Sequence, residues 1–150
     1  MLAVLAVADS QSLDDVCTIL KMCLPELGLL LTDSGSRCIQ MIREQDPDLI
    51  ILDYYLPDLG GHKMIEEIRR LTPSPIVVLS YLRDDADMLK AIECGADEFC
   101  ITPIRQLEFA AHVRALLRRS KPDVFHTSLE TISSYVVSVD SMRKCHPNPT

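Results

Sequence analysis

The chain has no tryptophan, and aromatic residues make up only 5% of its 150 positions, as four tyrosines and three phenylalanines. A core built from it must rest on aliphatic packing, and a recognition surface of stacked aromatic rings is excluded. Basic residues are also short, with 15 Lys+Arg against 22 Asp+Glu and a net charge of -7. The deficit is not spread evenly. Residues 1–120 carry 12 basic and 19 acidic side chains, a net -7, whereas residues 121–150 carry 3 of each. An acidic chain without a basic stripe lacks the electrostatics for holding nucleic acid, so none is expected to bind this chain alone. No apolar stretch approaches the ~20 residues of a membrane crossing. Residues 1–8 are apolar but follow no basic segment and stop at Asp9, which reads as a strand rather than a signal peptide. No membrane partner and a cytoplasmic location are expected. The six cysteines, Cys17, Cys23, Cys38, Cys94, Cys100 and Cys145, form no C-x-x-C pair and no zinc spacing. They read as small core hydrophobes in a reducing compartment. The histidines, His62, His112, His126 and His146, have no ligand spacing either.

What is present centres on Leu49-Ile50-Ile51-Leu52-Asp53, followed by Pro57 and Gly60-Gly61. Four apolar residues without alternation suit a strand covered on both faces. An acid ends that run, and turn chemistry follows it. Similar units lie on either side. Residues 2–8, 29–31, 76–80 and 98–101 read as further strands. Between and after them, 13–24, a segment opening at Ser34, 62–71, 84–94 and 106–119 carry helical spacing. Ser12 is the expected cap of the first helix, and Gly95 closes the fourth. Five strands alternating with five helices imply a doubly wound parallel sheet with helices on both faces. The unit 1–120 therefore reads as one α/β domain. Residues 121–150 read as a linker and short extension, in which 132–140 alternates like a solvent-facing strand.

In a parallel sheet the strand ends share one rim, and ligands bind there. That rim receives Asp9, Asp53, Ser80 and Thr102-Pro103. Two carboxylates and a main-chain carbonyl just past Asp53 form an oxygen-rich group suited to Mg²⁺. A metal-bridged carboxylate beside a hydroxyl suits phosphoryl transfer onto the carboxylate. A flavodoxin-like enzyme with a glycine-rich phosphate loop is a poorer reading, because Asp9-Ser10-Gln11-Ser12 holds no glycine.

Residues 2–119 resemble the receiver domain of bacterial two-component response regulators. The likeness rests on Asp-x-x-Leu-Pro-Asp-x-x-Gly starting at Asp53, Ile-Val-Val-Leu-Ser at 76–80, and Gly-Ala-Asp-Glu-Phe at 95–99 before Thr102-Pro103. It implies a flavodoxin-like fold and a switch rather than a metabolic enzyme. Asp53 would be the phosphoacceptor for a histidine kinase, with at most self-catalysed transfer and hydrolysis. Asp9, Asp53 and the main-chain carbonyl of Tyr55 would hold a weakly bound Mg²⁺. Ser80 would be the switch hydroxyl, Phe99 the aromatic that moves with it, and the peptide before Pro103 cis. Two positions depart from the pattern. The family has two adjacent acids after strand one, where this chain has Ala8-Asp9. It has a lysine before the strand-five proline, where this chain has Thr102. Arg83 or Lys63 would be the cations near enough in sequence to substitute.

The segment 109–119 resembles the last receiver helix of OmpR/PhoB-type winged-helix regulators. That likeness implies a homodimer through helix four, strand five and helix five, with Asp97 and Arg114 as charged positions of the face. Met88 and His112 stand where basic residues are usual. The segment 132–140 resembles the start of a winged-helix output domain, with no complete DNA-binding domain after it. The function expected is phosphorylation at Asp53 and switching of the helix 4/strand 5/helix 5 face in a phosphorelay that serves transcription control. The alternative is a pseudo-receiver, the same fold acting as a phosphorylation-independent interaction module.

Overall fold

The structure is a computed structural model, and it describes residues 1–122. Five strands alternate with five helices: β1 (Leu2–Ala6), α1 (Ser10–Cys23), β2 (Gly28–Thr32), α2 (Gly35–Gln45), β3 (Leu49–Asp53), α3 (Gly61–Leu71), β4 (Ile76–Ser80), α4 (Asp85–Cys94), β5 (Glu98–Ile101) and α5 (Gln106–Ser120). The strands form one parallel sheet in the order β2-β1-β3-β4-β5. This is the flavodoxin-like order, and the chain direction reverses across the sheet between β1 and β3. The expected strand over 132–140 lies outside the described residues.

β3 is central because it is apolar on both faces. Leu49, Ile50, Ile51 and Leu52 are all fully buried. Leu49 and Ile51 join the core under α1 and α5, with Leu5, Val16, Leu20, Val113 and Leu117. Ile50 and Leu52 join the core under α2, α3 and α4, with Val4, Ile39, Ile65, Ile68 and Val78. Full burial of one such side chain contributes about 1.5–3 kcal/mol. The four together hold β3 in register between its neighbours, Leu52 lying opposite both Ala6 and Val78.

Helix ends follow their capping groups. Ser34 caps α2 by accepting from the Arg37 amide. Asp84 caps α4 by accepting from the amides of Ala86 and Asp87. At α1 the structure corrects the sequence reading. The cap is Asp9 rather than Ser12, and the helix starts at Ser10. Asp9 Oδ2 accepts from the Ser12 amide at 2.9 Å and from the Ser12 hydroxyl at 2.8 Å. An acid and a serine at this spacing can both cap, and the carboxylate, as the stronger acceptor, takes the amide. β1 likewise ends at Ala6, although the Val7 amide still reaches the Thr32 carbonyl at 3.0 Å.

Gly35, the first residue of α2, lies against the loop after β3. A Cβ there would stand 2.4 Å from the Leu59 carbonyl oxygen and 2.9 Å from the Leu59 Cβ. The contact is with backbone, which cannot give way cheaply. Gly35→Ala is expected to destabilise the domain by about 1–3 kcal/mol, as overpacking does elsewhere. Urea denaturation checks it, and an unchanged midpoint counts against this packing.

Candidate functional site

The four strand ends on the carboxyl side of the sheet converge as the topology requires. β3 delivers Asp53, whose Oδ2 accepts from the Ala8 amide at 2.8 Å. Burial raises the pKa of Asp53. The amides of Ala8 and Asp9 oppose that rise, and the neighbouring Asp9 charge adds to it. Asp9 itself is exposed, and its two bonds from Ser12 lower its pKa. Two carboxylates thus face one opening in unlike environments, one half-desolvated and one solvated and hydrogen-bonded.

A cavity of about 410 Å³ opens over Asp53, with walls from Ala8, Asp9, Tyr55, Tyr81 and Thr102. Among the described residues no lysine or arginine lines it. Lys63 borders two grooves, one with Arg43 and Arg70 and one with Tyr54 and Tyr55, and Arg83 is exposed. Neither is part of the cavity wall beside Thr102. The Thr102 amide donates to the Ser80 carbonyl at 2.8 Å, and its hydroxyl stands 3.4 Å from the same oxygen. The Thr102-Pro103 peptide is cis, as expected. Ser80 is buried, at 3% exposure, and its hydroxyl closes onto its own loop. It donates to the Leu82 carbonyl at 3.0 Å and accepts from the Leu82 amide at 3.1 Å.

The residues after Asp53 form an aromatic group that the sequence reading passed over. Tyr54 is buried, with its ring 5.9 Å from Phe99 and 5.0 Å from Tyr55. Tyr55 is 41% exposed, and its ring lies 5.4 Å from that of Tyr81. The Tyr55 hydroxyl donates to Asp87 on α4, and this bond pushes the Tyr55 pKa up to about 12. Tyr81 follows Ser80 directly, so its place at the rim was available from the chain order. The pairing of Tyr55 with Asp87, 32 residues apart, has no local signature.

Asp58 also differs from its reading as a turn acid. It reaches across to α2, accepting from the Gly35 amide at 2.8 Å, the Ser34 hydroxyl at 2.9 Å and the Ser36 amide at 3.1 Å. Those bonds hold its carboxyl well below the usual carboxylate range. The loop is closed further by the Gly61 amide on the Tyr54 carbonyl at 2.7 Å. Asp53 therefore sits at the root of a loop fixed at both ends.

The two charges expected on a dimer face have partners within one copy. Arg114 is 8% exposed and donates to the Cys23 carbonyl at 2.8 Å, which turns it toward the end of α1. Asp97 Oδ2 accepts from Arg69 and from the Ile76 amide, each at 2.8 Å. Both side chains serve the fold within one copy. Between β5 and α5, a Glu98 carboxylate oxygen lies 3.2 Å from His112 Nδ1.

The oxygen atoms present suit a hard cation. Asp9 and Asp53 face the same opening, and a divalent ion there would offset the burial that chiefly raises the Asp53 pKa and the lesser repulsion from Asp9. Mg²⁺ commonly takes one or two carboxylates and keeps several waters, so this sparse donor set fits it.

With the fold and rim in view, the class of protein is defined. The response regulator receiver domain model matches residues 4–114, and the chain belongs to that family. Among curated relatives, the transcriptional regulatory protein AfsQ1 of Streptomyces coelicolor is 33% identical over 131 residues, covering 86% of this chain and 57% of that protein. The transcriptional regulatory protein BaeR of Escherichia coli is 35% identical over 111 residues, covering 65% of this chain and 46% of its own length. The chain thus spans about half the length of the curated relatives it matches. A two-component response regulator from Clostridium difficile superposes with a TM-score of 0.70 at 30% identity, covering 81% of this chain and 98% of that one. The BeF3-activated receiver domain of Klebsiella pneumoniae RstA superposes with a TM-score of 0.69 at 23% identity, covering 79% and 99%, and shows the shared fold. The protein is a response-regulator receiver, a signalling switch with transcriptional regulators among its relatives. This agrees with the resemblance to the OmpR/PhoB type. Among the described residues no helix is long and apolar enough to cross a membrane.

The pKa of Asp53 has a consequence for stability. Its folded-state value is raised above the unfolded one, so the ionised carboxylate weakens the fold at neutral pH. The relative stabilisation is full below about pH 3.8 and is lost as pH rises through the raised value. Asp53→Asn is expected to raise the Tm at pH 7 by a few degrees, with the gain shrinking toward pH 4. Thermal melts across that range check it. A gain that grows on acidification contradicts the assignment.

Proposed function

We propose that Asp53 accepts a phosphoryl group from a histidine kinase and that the chain thereby changes the surface formed by α4, β5 and α5. The observation that carries this is the carboxylate of Asp53, delivered by a fully buried strand to a cavity it shares with Asp9. A carboxylate oxygen of Asp53 forms the bond to phosphorus as the bond from phosphorus to the donor's histidine nitrogen breaks. The leaving imidazole recovers its electron pair and takes a proton. The Ala8 amide on Oδ2 orients the carboxylate for that attack. Mg²⁺, held by Asp9, Asp53 and the main-chain carbonyl of Tyr55, would supply charge neutralisation for the phosphoryl oxygens. Ser80 can turn its hydroxyl from Leu82 to one of those oxygens by rotation about a single bond. A phosphorylation-independent module is the poorer reading, because it leaves the paired carboxylates and their cavity without a use.

The test is intact mass after incubation with a small acyl-phosphate donor. One phosphoryl group is expected in the presence of Mg²⁺, none without it, and none in Asp53→Asn. Ala8→Asp, which adds negative charge beside the cation, is expected to lower the Mg²⁺ concentration required. A phosphoryl group that persists in Asp53→Asn removes the assignment.

The outward surface carries Leu89 and Ile92 of α4, 61% and 45% exposed. With Asp97 and Arg114 engaged inside the protomer, apolar contact is the stronger basis for a homodimer through this face. Leu89→Asp is expected to shift the chain toward monomer in sedimentation equilibrium by about tenfold in Kd, as loss of a central apolar contact does. An unchanged association constant removes α4 from the interface.

A further inference from the structure

We propose that the side chain of Tyr55, through its hydrogen bond to Asp87, is the positioning link that carries the state of Asp53 to α4, in place of a cation at position 102. The inference rests on the phosphoacceptor reading above. Tyr54 and Tyr55 follow Asp53 directly in the chain, and both reach the elements that form the outward surface. Tyr55 donates to Asp87 in the first turn of α4. Tyr54 packs edge-on against Phe99 of β5, with ring centres 5.9 Å apart. Burial chiefly raises the pKa of the Tyr54 phenol, and Asp87 adds to the rise through its charge and a hydrogen bond, so one α4 carboxylate lies beside both tyrosines.

The other routes from Asp53 to that surface are weak in this chain. Among the described residues no basic side chain lines the cavity. The Thr102 hydroxyl is neutral and stands 3.4 Å from the Ser80 carbonyl. The Ser80 hydroxyl holds two bonds to Leu82 and must give them up to reach the site. The receiving element has one fully buried residue. That is Ala91, with Met88 and Cys94 packed partly buried against the core and Leu89 and Ile92 facing outward. The start of α4, where Asp87 lies, has no fully buried anchor and responds to the gain or loss of one hydrogen bond. The Tyr55 ring, between those of Tyr54 and Tyr81 at 5.0 and 5.4 Å, has little freedom to swing independently of its backbone. Displacement of the loop after β3 is therefore passed to the phenol, and from the phenol to Asp87. Linkage makes the relation reciprocal, so whatever occupancy of the site does to the tie, the tie does to occupancy.

The experiment compares the wild-type chain with Tyr55→Phe, Asp87→Ala and the double variant, using beryllofluoride with Mg²⁺ as the probe. Tyr55→Phe keeps the ring contacts and the main-chain carbonyl and removes only the hydroxyl. Bound probe is read by fluorine NMR, and the response of α4 by hydrogen exchange at the amides of residues 85–89. In the wild type, bound probe is expected to change exchange at those amides about tenfold, the scale of one hydrogen bond to a charged group. In Asp87→Ala the probe still binds and the change falls below about twofold; in Tyr55→Phe, compared at saturating probe, the change falls as far. The double variant shows no further loss, because both substitutions break one bond. Variants that bind the probe and keep the full α4 response overturn the link while leaving the phosphoacceptor reading intact. Additive losses in the double variant overturn it as well. Absence of bound probe in the wild type overturns the phosphoacceptor reading, and the link falls with it.

Discussion

Burial of β3 on both faces is the constraint on which the rest depends. A strand at the sheet centre has no solvated side, so each of its residues from Leu49 to Leu52 must be apolar. The carboxylate of Asp53 can appear only where that burial ends. The same geometry makes the end of β3 a partly desolvated place, which raises the Asp53 pKa and weakens the fold when the group is ionised. The site is therefore under stress in the ionised state, and a cation or a covalent change of charge state relieves it. Function at this rim follows from a cost that the topology imposes on its own central strand.

The loop after β3 converts that local stress into a mechanical one. It is pinned at both ends, by Asp58 on the first turn of α2 and by the Gly61 amide on Tyr54. Gly35 is small because Leu59 passes directly over it. A loop so held cannot absorb a change at Asp53 by fraying. What remains free to respond is the side that faces α4, where Tyr55, Tyr81 and the first turn of the helix meet.

Much of this was legible in the chain, for physical reasons that differ by residue. Hydrophobic runs of strand length and helical spacing placed the ten elements, since burial on one or two faces leaves a direct pattern. The boundaries moved where two groups competed for one task, as Asp9 and Ser12 do for the amides opening α1. Asp53, Asp9, Ser80 and Thr102 were found because strand ends in a parallel sheet must share a rim. The pairings Tyr55–Asp87 and Asp58–Gly35 were not, because contacts across 32 and 23 residues depend on loop path and leave no periodic trace. The bond from Arg114 to the end of α1 was hidden for a related reason. Helical spacing gives which residues share a stripe, but not which neighbour that stripe meets, and here it meets the end of α1.

The two departures at the rim are connected by charge. Relative to the pattern the chain resembles, Ala8 removes one negative group and Thr102 one positive group. The sum at the rim is unchanged, while its distribution is not. An even loss leaves the long-range potential felt by an approaching phosphoryl donor much as before, since that depends on the total. It also avoids the heavier penalty of leaving three carboxylates together without a counter-charge. What is lost is direction. No cation on the β5 side draws a phosphoryl group toward Thr102 and away from the loop after β3. With the attraction on that side gone, Asp53 keeps the Ala8 amide on its Oδ2, and the loop that follows it leads through the Tyr55 hydroxyl to Asp87 of α4. A site can thus keep its capacity to bind a charged group while the route by which binding is felt shifts from one edge of the cavity to the other.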